Sequence, residues 1–353
     1  MLRSLGSICP CALLSLVCIS ARPAAASTRH AYVSDFNANS ISEFSVSPAN
    51  GTLTPIAGCT AIGTSSPAGL AIDPTGRFLY AANQSSNTIS LFTISSTTGC
   101  LAVGPILATG SGPTSLGINA TGACLFVSNQ GANTITGYTI NPVTGKLTVT
   151  GTSPTSGGPK GIAVDPFGQY VYAADNVGNA VSGFVIKTGT CFAAAVPGSP
   201  FATGGGPMGV AVDVVGQFLL VTNNTANTVT VFSISPSTGA LSFVGTSGAG
   251  GGPAGVAVDQ FGQFVYVAND TGATVSSFSI SPTGVLTPIT VTPVGAAPLG
   301  ANVDLSGRFL YIADSGGPSA SGFTIAPATG ALTVAPGSPF VTGAFPVTVV
   351  VTP

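Results

Sequence analysis

Charge is what this sequence has least of: only 5% of its 353 residues are Asp, Glu, Lys or Arg, against roughly a quarter in an average domain. The net charge is −2 and no Lys/Arg run occurs. There is thus no basic patch for nucleic acid or an anionic bilayer, and nucleic-acid binding is excluded. Histidine and glutamate occur once each, as His30 and Glu43, which leaves few groups for acid–base work. No apolar run approaches the roughly 20 residues a membrane helix needs. Past the first residues no helical period appears. The Gly-Gly-x-Pro stretches, such as Gly204-Gly205-Gly206-Pro207, open no helix that would cradle a phosphate, so no cofactor is expected.

The N-terminus reads as a processing segment. Arg3 precedes an apolar run from Cys11 to Ile19, and Ala24-Ala25-Ala26 offers a small-residue cleavage pattern. Residues 1–26 are expected to be a signal peptide and 27–353 an exported domain, periplasmic, cell-surface or extracellular. Cys18 follows Val17, which is bulkier than a lipobox usually tolerates. Cys59, Cys100, Cys124 and Cys191 remain after cleavage. None has CxxC spacing, so no metal site is expected. In an oxidising compartment they allow disulfides, and three pairings stay open.

Glycine (48), proline (27) and a 44% hydrophobic fraction fit many turns between short apolar strands. The chain compared with itself shows why. PKGIAVDPFGQYVYAADNVGNAVSGF from Pro159 recurs as PAGLAIDPTGRFLYAANQSSNTISLF from Pro67 and PMGVAVDVVGQFLLVTNNTANTVTVF from Pro207. Further copies open at Pro253 and Pro298, a degenerate one at Pro113, and a truncated one at Pro346. Each unit reads as four strands: GIAV-like, then RFLYAAN-like and apolar on both faces, then an alternating strand, then a short outer one. Turns such as Asp73-Pro74-Thr75-Gly76 separate the first two. Aromatics recur on the third strand in every copy (Phe44, Phe92, Tyr138, Phe184, Phe232, Phe278, Phe323) and on the second in six of seven. That recurrence marks them as core between sheets.

RHAYVSD near the mature start matches the second strand of the unit, so the first copy lacks its innermost strand. Pro346–Val351 supplies one at the other terminus. Pairing the two predicts an all-β, seven-bladed propeller of four-stranded antiparallel blades with no open edge in the ring.

The PxGxAxDPxGxxxYVAN core and the NTIxxFxI strand after it resemble the YVTN-type propeller repeat. Through it the chain is similar to the seven-bladed lactonase family, which includes bacterial 6-phosphogluconolactonase. The motifs are also close to NHL-type repeats, whose members include lyases and binding modules. Across essentially the whole mature chain the resemblance implies a propeller with its active site at the mouth of the central channel. It also implies His and Arg side chains just after the proline that opens each inner strand. Here those positions are Ala68, Thr114, Lys160, Met208, Ala254, Leu299 and Val347; only Lys160 is charged.

Asp35, Asn83, Asn129, Asp175, Asn223, Asn269 and Asp314 end the second strands and are expected to form a ring at one propeller face. Three carboxylates in a ring can activate water, and an Asx in every copy can equally cap its own backbone. Asp175 shares a blade with Lys160, so these two are the candidate catalytic pair. Asp35, Asn83, Asn129, Asn223, Asn269 and Asp314 are candidate ligand contacts. With so few charged groups, the sequence favours an exported monomeric scaffold that binds a protein, glycan or small molecule at the channel mouth. A lactonase-like hydrolase is the alternative.

Overall fold

Each repeat forms one antiparallel sheet, and the reason is visible in blade 2. Pro67–Ile72 pairs with Phe78–Asn83, which pairs with Thr88–Ile94, which pairs with Leu101–Ala108. The second strand is buried at every residue, as a strand covered by neighbouring sheets on both faces must be. In the computed structural model, residues 29–353 apart from 60, 62 and 188 are described; the expected signal peptide lies outside the described residues. Seven such sheets occur, and the fold is a seven-bladed β-propeller. No helix among the described residues is long and apolar enough to cross a membrane.

The ring closes through the chain ends. Arg29–Asp35 pairs with Ser40–Val46 on one side and with Pro346–Val351 on the other, in the register Ala31↔Val351, Tyr32↔Val350 and Val33↔Val349. Two blades depart from four plain strands. In the fourth and seventh the outer strand is split in two, Phe192–Ala195 with Phe201–Ala202 and Leu332–Val334 with Phe340–Val341. A turn containing a cis Ser–Pro bond stands between the halves in each case, at Ser199-Pro200 and Ser338-Pro339.

Blades are held to one another by the repeated aromatics. The third-strand rings are all buried, and each contributes about 4–6 kcal/mol as an upper bound on burial. The second-strand tyrosines also reach into the following blade. Tyr32, Tyr80, Tyr172, Tyr266 and Tyr311 donate to the carbonyls of Gly99, Gly145, Gly239, Gly330 and Gly51 at 2.6–3.0 Å. Blade 3 carries Phe126 there and has no hydroxyl to donate. Its joint to blade 4 holds the Cys124–Cys191 disulfide instead, while Cys59–Cys100 joins blades 1 and 2. The pairing that spacing left open is thereby assigned.

Turn aspartates define the face opposite the candidate site. Asp165 Oδ1 accepts from the backbone N–H of Gln169 and Tyr170, at 2.6 Å each. Asp73, Asp213, Asp259 and Asp304 repeat the pattern, and Asn119 substitutes for them in blade 3.

Candidate functional site

The inner strands converge on the channel, and a local irregularity aims their first side chains. All seven open with proline, and the ladder to the second strand slips just after it, between Pro67 and Leu70 or Pro159 and Ile162, for example. Such a bulge turns the intervening residue out of the sheet's alternation. The following glycine lets the inner strands approach one another. A Cβ on Gly161 would stand 2.4 Å from the Met208 carbonyl oxygen, and one on Gly209 2.2 Å from that of Ala254. Hydroxyls tie adjacent inner strands together: Thr114 and Ser128 both donate to the Lys160 carbonyl, at 2.9 and 2.8 Å.

The outcome is a cavity of about 450 Å³ at the channel mouth. Ala68, Thr114, Lys160, Met208, Ala254, Leu299 and Val347 all line it, one from each blade, with Gln84, Gln130, Phe36 and Phe345 at the rim. A larger cavity, about 740 Å³, lies at the opposite end beside Cys191, Gln169 and Lys187. It draws on only part of the ring, whereas the mouth gathers a side chain from every blade.

Within the mouth Lys160 is half-buried. Burial lowers its pKa below the ordinary lysine value, and the negative charge of Asp270 works against that shift. Asp270 responds in kind: burial raises its carboxyl and Lys160 lowers it. The two interact across the ring without the direct ion pair that joins Arg29 to Asp304.

The Asx ring stands elsewhere. Asp35, Asn83, Asn129, Asp175, Asn223, Asn269 and Asp314 are 0–1% exposed, and none lines the mouth cavity. Each turns instead to hydroxyls of its own third strand. Asn83 Nδ2 donates to Thr88 and Ser90, Asn129 to Thr134 and Thr136, Asn223 to Thr228 and Thr230, and Asn269 to Thr274 and Ser276. In the aspartate blades the bond reverses: Ser42 donates to Asp35 at 2.7 Å, Ser182 to Asp175 at 2.5 Å and Ser321 to Asp314 at 2.7 Å. One oxygen of each of these three carboxylates has no partner among the described residues. Burial pushes Asp35 and Asp314 up to about 6 and raises Asp175. Asp175 and Lys160 therefore share a blade but not a cavity.

Three residues one position further along do reach the mouth. Phe36, Gln84 and Gln130 follow the Asx residues of blades 1 to 3 and line the cavity. Asn176 and Asn224 occupy that position in blades 4 and 5 and donate to the carbonyls of Pro207 and Pro253; Asp270 occupies it in blade 6. Strand alternation is the signal that finds them, because consecutive residues face opposite ways. Sequence reasoning passed over them because they vary from copy to copy.

The sequence model of the family described as Lactonase, 7-bladed beta-propeller matches residues 23–106, 102–192 and 246–350, well over half of the chain. The chain belongs to this lactonase family. No curated relative matches it. Among solved structures, a candidate 6-phosphogluconolactonase from Bacteroides uniformis superposes with a TM-score of 0.83 at 19% identity, covering 93% of this chain and 100% of that one. A second candidate from Bacteroides fragilis gives 0.81 at 20%, covering 93% and 98%. The periplasmic gluconolactonase of Pseudomonas aeruginosa gives 0.79 at 19%, covering 93% and 99%. At these identities the likeness is one of fold.

Proposed function

We propose that this family member is an exported hydrolase of small, uncharged lactones, with the channel mouth as its active site. One observation carries the reading: the seven positions after the opening of the inner strands meet in a single cavity, and that cavity holds one cation. A phosphorylated lactone needs several cations around its phosphate. Ala68, Thr114, Met208, Ala254, Leu299 and Val347 offer none, so the mouth suits a neutral and largely apolar ring.

In this reading Lys160 donates to the lactone carbonyl oxygen and stabilises the oxyanion. Asp270 accepts a proton from water as the water oxygen bonds to the carbonyl carbon. The ring C–O bond then breaks, and Asp270 returns the proton to the departing alkoxide. Activity needs Asp270 ionised and Lys160 protonated. With the carboxyl raised and the amine lowered, the rate is expected to rise above the ordinary Asp range and to fall below the ordinary Lys value. The window is thus narrower on both sides than for exposed groups. Export is supported by the leader pattern, by two disulfides and by the periplasmic gluconolactonase of like fold.

Hydrolysis of neutral and 6-phosphorylated lactones by the purified protein tests the reading. Turnover of the neutral lactones is expected, about 100- to 1,000-fold lower in Lys160→Ala, with thermal stability unchanged. No turnover above buffer on any lactone would overturn it and favour the interaction scaffold.

A further inference from the structure

We propose that Glu43, Cys59 and Cys100 form a second site, which takes a divalent cation of zinc type when the disulfide between the cysteines is reduced. The three residues come from different strands and loops. Glu43 lies in the third strand of blade 1, directly opposite Tyr32. Cys59 follows the outer strand Leu53–Pro55, and Cys100 stands immediately before Leu101–Ala108 in blade 2. A carboxylate oxygen and both sulfurs lie within 4.8 Å of one another. The 41-residue separation of the cysteines hides this arrangement from any reading by short spacing.

Two further observations point to a ligand. Glu43 is only 6% exposed; its Oε2 accepts from the Leu101 N–H at 2.9 Å, the Ala61 backbone also acts on the carboxyl, and Oε1 has no hydrogen-bond partner among the described residues. A buried carboxylate oxygen without a partner requires an explanation, and a bound ion is one. The residue type is also confined to this blade. At the position before the third-strand aromatic, the other six blades carry Leu91, Gly137, Gly183, Val231, Ser277 and Gly322. All six are small or uncharged, so the blade contact itself does not call for a carboxylate. The chain's only glutamate stands where it faces a cysteine pair.

Two thiolates and a carboxylate suit zinc, which accepts sulfur and oxygen ligands and leaves a fourth tetrahedral position for water. Tyr32 donates to the Gly99 carbonyl at 2.6 Å and so fixes the turn that presents Cys100. Both sulfurs are half-buried, which leaves a path for a reductant. A small dithiol supplies two electrons and two protons, breaks the S–S bond and is itself oxidised to a disulfide. The two thiols formed release their protons to solvent as the cation binds.

Cobalt(II) titration, with thiolate-to-metal charge-transfer absorption as the readout, tests this in the full mature protein. The protein reduced by a dithiol and then freed of it is expected to bind one ion per chain, and the oxidised protein none. Glu43→Gln is expected to weaken binding by at least about tenfold, and Cys59→Ser to abolish the band. A second measurement needs no variant: in the reduced protein zinc should slow alkylation of Cys59 and Cys100 relative to the same protein without zinc. The proposal is overturned by a reduced protein without the band, a band that survives Cys59→Ser, or zinc that leaves Cys59 and Cys100 reactive.

Discussion

Two rings one residue apart divide the labour at this face of the propeller. The Asx ring, Asp35 to Asp314, keeps an aspartate or asparagine in every blade, is fully buried and binds its own third strands. The residues after the opening prolines change from blade to blade and meet at the cavity, joined there by Phe36, Gln84 and Gln130 from the positions after the Asx ring. In a symmetric fold, what every copy shares builds the copy, and what differs is free to recognise a ligand. The seven-fold aspartate or asparagine bonds to its own blade, whereas Lys160 is the one cation that lines the mouth cavity.

The comparison is sharpest where the repeat lapses. Blades 3 and 5 carry Phe126 and Leu220 in place of the tyrosine that joins the other five blades to the next, and at the blade 3 joint stands the Cys124–Cys191 disulfide, closing 67 residues. Replacing both cysteines with serine is expected to destabilise the protein by about 4 kcal/mol, read from chemical denaturation.

A somewhat smaller effect is expected within the Asx ring. Asp35 and Asp314 have folded pKa values of about 6, raised above the unfolded range. They favour folding below about pH 4, and that contribution is lost as pH rises through 6. Four blades carry asparagine at this position. Asp35→Asn or Asp314→Asn should therefore gain up to about 3 kcal/mol at pH 8 and almost nothing at pH 4. Denaturation at the two pH values measures it. A gain that does not depend on pH would mean that the carboxylates are not held neutral by burial.

Removing one hydroxyl of the repeated set should have the smallest effect. Tyr80→Phe loses the bond to Gly145 at 2.7 Å and is expected to cost about 1 kcal/mol, whereas Phe126→Leu in the disulfide-joined blade alters packing alone.

Most of the fold could be read from the chain because each blade repeats the same local instructions. The Asp-x-x-Gly turn, the doubly apolar second strand and the aromatic of the third recur often enough to fix seven copies. Even the closure of blade 1 followed from RHAYVSD lacking a partner until Pro346–Val351. The split outer strands of blades 4 and 7 were not legible, since Phe201–Ala202 and Phe340–Val341 are too short to carry a pattern. The lining of the mouth cavity was legible in part as well. Lys160 stood out by charge, but its partner depends on distances across the ring. Asp175, 15 residues away in the same blade, faces Ser182, while Asp270, two blades on, interacts with the amine. Pairing across a closed ring is a property of its diameter, which no local pattern records.

The most direct test compares kcat/KM for a neutral lactone in Lys160→Met and in Asp175→Asn. A loss of two orders of magnitude or more in Lys160→Met, with Asp175→Asn close to the parent, is the result expected if the varying ring is the site and the repeated ring its frame. Loss confined to Asp175→Asn, with both proteins folded, would contradict that assignment and return the chemistry to the Asx ring.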